Sequence, residues 1–160
     1  MPTVNILIVV GLIILNGLFA LSEMAVVSSR RARLQDMAAN GTRGARAALQ
    51  LVDDPGRFLS TIQIGITLVG ILAGAFSGAT LAAPLAQWLE RLGMSGGHVY
   101  SLSFGIVVAL TTYLTLIVGE LVPKRIALHR PEHVASLVAK PMHWLSRLCR
   151  PLVALLDLST

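Results

Sequence analysis

Charge is what this sequence has least of. Asp, Glu, Lys and Arg make up 13% of its 160 residues, against about a quarter in an ordinary soluble domain. With 54% hydrophobic residues and a mean hydropathy of +0.73, that scarcity excludes a disordered chain, a basic nucleic-acid-binding domain and most soluble enzymes. Cysteine is nearly absent too: Cys149 stands alone, so no disulfide can close within the chain. Four histidines and one cysteine are too few for a structural zinc cluster, and any bound metal is expected to meet oxygen.

What the sequence does have is long apolar runs. A membrane-spanning helix needs about 20 mostly apolar residues to cross ~30 Å of hydrocarbon, and three stretches qualify, at about 4–29, 58–89 and 99–122. No basic segment precedes the first and no small-x-small cleavage site follows it, so it reads as a span and not as a cleaved signal peptide. The basic residues are unevenly placed. Arg30, Arg31, Arg33, Arg43, Arg46 and Arg57 lie between the first two spans, and Lys124, Arg125, Arg130, Lys140, Arg147 and Arg150 follow the third. The turn between the second and third spans has Arg91 alone. Because Lys and Arg near membrane ends are retained in the cytoplasm, this bias predicts an outside N-terminus and a cytoplasmic C-terminus. The short N-terminus and inward basic loops suit a bacterial inner membrane.

The last twenty or so residues are apolar enough to suggest a fourth span. Arg147, Arg150 and Pro151 sit in their middle, and each central arginine costs about 2.5–3.5 kcal/mol on insertion scales. Met142, Trp144, Leu145 and Leu148 alternate with those arginines, so the segment reads as an amphipathic helix lying in the interface. Residues 31–50, rich in Ala and Arg, read the same way, and Pro131 sets the start of the second such element near Glu132. The fold class is therefore an all-α membrane protein. A single transmembrane domain fills residues 1–160, with three spans and two juxtamembrane helices at about 31–50 and 132–158.

Polar residues inside the spans point to function, because lipid penalises them. Asn16 and Glu23 share one helical face; Ser22 and Ser29 share the neighbouring one, beside Ser28. Ser60, Gln63, Thr67, Gly70 and Gly74 form a stripe on the second span, as do Thr112, Thr115 and Gly119 on the third. Three such stripes are best satisfied by facing one another. Pro123 has no N–H, so the Gly119 carbonyl four residues earlier loses its helical partner. A free carbonyl beside the Glu120 carboxylate makes a cation site, with Lys124 one turn away as a competing partner. Mg²⁺ and Na⁺ both accept such oxygen ligands. Gly70, Gly74 and Gly78 permit close helix contact, within the protomer or across a dimer.

The run His129-Arg130-Pro131-Glu132-His133 fails as a zinc helix, since proline separates the histidines and the glutamate is misplaced for a general base. No nucleophile and base fall at an informative spacing, so an enzyme is not expected.

Three segments carry a resemblance: Asn16-Gly17-Leu18-Phe19-Ala20-Leu21-Ser22-Glu23-Met24-Ala25, Phe58 to Leu68 (FLSTIQIGITL), and Val118-Gly119-Glu120-Leu121-Val122-Pro123-Lys124-Arg125. In order and spacing the chain resembles the CNNM/CorC family of magnesium transporters over essentially its whole length. The resemblance implies a homodimer in the lipid bilayer, three spans with a cytoplasmic belt, and Mg²⁺ as transported substrate, exported against Na⁺ entry. Carried over, the ion-site motifs fall on Ser22, Glu23, Ser28, Ser60, Gly65, Thr67, Gly119, Glu120 and Pro123. It also implies that ATP would act only through cytoplasmic CBS domains, which lie outside these 160 residues. The alternative is a membrane interaction module that scaffolds or regulates another transporter.

Overall fold

The computed structural model describes residues 2–94 and 96–148, all of whose regular structure is helical. Helix α1 runs Pro2–Ser28, α4 Pro55–Arg91 and α5 Val99–Leu116; α5 passes through a widened turn, Ile117–Leu121, into α6, Val122–His129. These make three helices long and apolar enough to cross a membrane, Thr3–Ser28, Pro55–Arg91 and Val99–His129. At 37 residues, α4 is about 55 Å long, so it tilts or projects beyond ~30 Å of hydrocarbon.

α1 packs on α4 and on the α5–α6 span, and α4 packs on α5. Three shorter helices form a belt at one end: α2 (Arg31–Ala39), α3 (Ala45–Asp53) and α7 (Pro131–Leu148), with α7 resting on both α3 and α1. Phe19, Val26, Leu34, Leu51, Phe58, Ile62, Ala127 and Ala135 form the apolar core where this belt closes against the spans.

Two expectations change, and the second belt helix is described in part. The segment expected as one helix over 31–50 is two helices, parted at Gly41 and Gly44, whose φ angles of +76° and +86° take the chain out of helical geometry. A Cβ on Gly44 would collide with the Ser136 carbonyl, so only glycine lets α3 approach α7 this closely. Next, α7 opens at Pro131, where the missing N–H costs nothing, and runs on through Pro141 to Leu148. Residues 149–158 of the expected second belt helix lie outside the described residues.

Finally, Pro123 does not end the third span. The turn before it widens, with the Val122 N–H reaching the Ile117 carbonyl five residues back. Widening relieves the ring's clash with the carbonyl four residues earlier and places Pro123 in the first turn of α6. The helix thereby continues for two more turns to His129.

Candidate cation site

Two glycines set the register of the site. A Cβ on Gly17 of α1 would stand 3.1 Å from the Pro123 ring and 3.4 Å from the Val118 carbonyl oxygen. Across the same contact, a Cβ on Gly119 would stand 3.1 Å from the Ile13 carbonyl oxygen and 3.3 Å from Asn16 Nδ2. Each helix presents a notch to the other's backbone, which brings α1 against the widened turn. Asn16, 2% exposed, then lies beside Gly119, and its Nδ2 donates to the Gly119 carbonyl at 3.0 Å. An amide on another helix thus supplies the donor that Pro123 cannot, and the carbonyl expected to be free is occupied. The other half of the amide is left over: Asn16 Oδ1 is buried with no hydrogen-bond partner, an arrangement that costs about 1–3 kcal/mol.

Asn16 lines a cavity of ≈ 300 Å³ shared by the three spans, with Thr67, Gly70 and Gly74 from α4, Thr111, Thr112 and Thr115 from α5, and Glu120 from the widened turn. Glu120 is its single ionisable side chain. The Thr115 hydroxyl donates to the Thr111 carbonyl at 2.8 Å, which leaves its lone pairs available as acceptors. One carboxylate and several hydroxyls make a set of hard oxygen donors suited to a small cation or an ammonium group, with the orphaned amide oxygen buried in the wall behind them. Among the described residues no three His, Cys, Asp or Glu side chains gather into a metal cluster, so the cavity differs from an all-carboxylate site.

A tethered cation stands beside it. Lys124 Nζ donates to Glu120 Oε1 at 2.9 Å and lies 3.5 Å from Glu23 Oε2. Lys124 bridges α1 to the third span one turn nearer the belt, and its side chain is 31% exposed.

The structure brings some expected site residues together and leaves others apart. Thr67 and Glu120 line the cavity, Gly119 adjoins it through Asn16, and Glu23 joins through Lys124. Pro123 packs against Gly17. Ser22 is fully buried but donates to its own helix, to the Leu18 carbonyl at 2.6 Å. Gly65 lies under the Phe19 ring, 2.9 Å from where its Cβ would be, and serves the α1–α4 contact. Ser28 and Ser60 do not line the cavity. Asn16 and Thr111 do line it and were not among the expected site residues. For Asn16 the signal was present, since it shares a helical face with Glu23.

The match to known proteins agrees with this architecture. The CNNM family model, described as the cyclin M transmembrane N-terminal domain, matches residues 7–160. UPF0053 protein sll0260 of Synechocystis sp. is 51% identical over 149 residues, covering 93% of this chain and 33% of the relative. UPF0053 protein YhdP of Bacillus subtilis is 33% identical over 157 residues, 98% of this chain and 35% of its own length. A protein of Escherichia coli K12 named polyamine export protein is 32% identical over 149 residues, 93% of this chain and 33% of its own length. The chain thus spans about a third of the length of these relatives. By the family match across nearly its whole length, it belongs to the CNNM/CorC family of membrane proteins and carries that family's transmembrane domain.

Proposed function

We propose that this domain transports a small hard cation, Mg²⁺, across the membrane through the cavity between α1, α4 and α5, with Na⁺ as the coupling ion. The observation that carries the reading is a cavity between the three spans walled by threonine hydroxyls, whose one ionisable lining group among the described residues is Glu120. Charge explains the part of Lys124. With its ammonium between Glu23 and Glu120 the trio carries a net charge of −1, from two acids and one base. A divalent ion would leave that cluster with an uncompensated positive charge in a low-dielectric setting; once Lys124 swings out, two acids balance two positive charges. Lys124 is a placeholder that leaves when the ion arrives, and its partial exposure gives it somewhere to go.

The basic residues of the belt support a cytoplasmic belt end and an outside N-terminus. The open side of the cavity supports a homodimer. Gln63, Thr67 and Thr112 are exposed on the α4–α5 surface, and Gly70 and Gly74 have nothing packed within 4 Å of where a Cβ would be. Polar groups and bare backbone facing acyl chains are unfavourable, and a second copy covers both.

The test is flux in liposomes containing only the purified protein and a Mg²⁺-sensitive dye. Glu120→Gln is expected to lower Mg²⁺ entry by about a hundredfold, the equivalent of roughly 3 kcal/mol of ion stabilisation, with the protein folded and its oligomeric state unchanged. Lys124→Gln is expected to lower the half-saturating Mg²⁺ concentration about tenfold by removing the competitor. Wild-type flux in Glu120→Gln overturns the site. A second reading is favoured by the polyamine export relatives together with the Lys124 ammonium already seated on Glu120: the same carboxylates would then receive an organic diammonium ion. Putrescine movement without Mg²⁺ movement selects that reading. A folded protein that moves neither cation returns the interaction module.

A further inference from the structure

The motif that failed as a zinc site forms a second pocket. Arg33 of α2, His129 at the end of α6, Arg130 in the connecting turn, and Glu132 and His133 at the start of α7 line a cleft of ≈ 340 Å³ at the belt. We propose that this cleft binds the phosphodiester headgroup of an anionic phospholipid.

The charge balance favours an anion. Two arginines line the cleft against one carboxylate, beside His129 and His133, and that carboxylate is occupied. Glu132 is 4% exposed; its Oε1 accepts the Arg30 N–H at 3.3 Å and its Oε2 lies 3.8 Å from Arg33. Glu132 therefore ties α2 to α7 and holds Arg33 at the rim, where the side chain is 72% exposed and the guanidinium keeps further N–H donors free. Arg130 makes no ion pair among the described residues, and it is exposed, as are both imidazoles. His129 donates its Nδ1–H to the Arg125 carbonyl at 2.9 Å, which leaves Nε2 of the neutral ring an acceptor, so the donors that would meet an anion are the two guanidinium groups. The first turn of the 18-residue α7 also faces this corner, with N–H groups that its own helix does not use.

Depth distinguishes a lipid from a dissolved anion. The cleft lies where two apolar spans end, at Ser28 and His129, the level at which headgroups sit. On α6, Ile126 and Leu128 are 54% and 51% exposed immediately on the span side of the cleft. On α7, Leu137 is 80% exposed one turn beyond His133. A free phosphate would use the bases and ignore this apolar margin, whereas a phospholipid places its phosphate on the bases and its chains along Ile126 and Leu128.

The experiment uses the purified protein in phosphatidylcholine nanodiscs doped with phosphatidylglycerol, with bound lipid counted by native mass spectrometry. Arg130→Gln, which leaves the Glu132 contacts intact, is expected to lower retained phosphatidylglycerol about fivefold, and Arg33→Gln with Arg130→Gln about twenty-five-fold. Arg43→Gln with Arg46→Gln removes the same charge from the same belt outside the cleft and is expected to change retention by less than about twofold. Equal losses in the two double variants overturn the proposal in favour of diffuse attraction, and unchanged retention in Arg130→Gln overturns it outright. Inorganic phosphate is the competing arm. If it displaces the lipid, or binds in pure phosphatidylcholine discs and is lost in Arg130→Gln, the cleft takes free phosphate and the lipid assignment fails. Mg²⁺ flux is read separately, so loss of the cation reading leaves this result standing.

Discussion

The belt end, where α2, α3 and α7 close on the spans, and the middle of the bundle satisfy their buried polar groups differently. At the belt, Leu34, Ala48, Ala127, Ala135 and Ala139 are fully buried, and Glu132 has a partner for each oxygen. In the bundle, Asn16 and Thr111 are buried along with Ile13, Val69, Ala73 and Val107, and one amide oxygen, Asn16 Oδ1, has nothing to bond. Small residues serve both places differently. Alanines at the belt let helices close into a dry core, whereas the glycines at 17 and 119 bring backbones together so that polar groups meet. Under the proposed function, the unsatisfied amide oxygen is stability yielded to binding.

That contrast is testable by damaging each region separately. Leu34→Ala carves a cavity in the belt core, where the side chain is 0% exposed, and is expected to cost about 2–5 kcal/mol of stability. Thermal unfolding in detergent should show a clear drop in midpoint, while Mg²⁺ flux per folded molecule stays at the wild-type level. A flux loss as large as that of Glu120→Gln would show that the belt and the cavity are one functional unit.

The spans were legible in the sequence because composition alone decides them: nothing but a bilayer tolerates such long runs without charge. The belt was legible as amphipathic segments, but its break was not. The Asn40-Gly41 and Gly44 signals inside an Ala- and Arg-rich stretch are local, whereas the reason for the break is Ser136, ninety residues on. Pro123 teaches the same lesson. Its missing N–H and the stranded Gly119 carbonyl follow from covalent structure, but the remedy is an amide 103 residues away, which no local pattern contains. Ser22 and Gly65 sit in conspicuous motifs; Ser22 donates to its own helix, as Thr115 does, and Gly65 packs under the Phe19 ring. Periodicity assigns residues to a face; the Gly17 and Gly119 contact decides which face looks into the cavity.

Asn16→Leu is the smallest change in stability and the sharpest separation of the two regions. The substitution keeps the shape and removes both ends of the amide. Losing the bond strands the Gly119 carbonyl at a cost of about 1–3 kcal/mol, and deleting an oxygen that had no partner returns a similar amount, so the unfolding midpoint should barely move. The cavity wall loses its amide while Glu120 remains, so flux should fall about tenfold, less than the loss in Glu120→Gln. Leu34→Ala and Asn16→Leu are therefore opposites, one lowering stability without flux and the other flux without stability. If Asn16→Leu instead unfolds the bundle, then the bond to Gly119 outweighs the orphaned oxygen, and Asn16 is a structural strut between α1 and the widened turn.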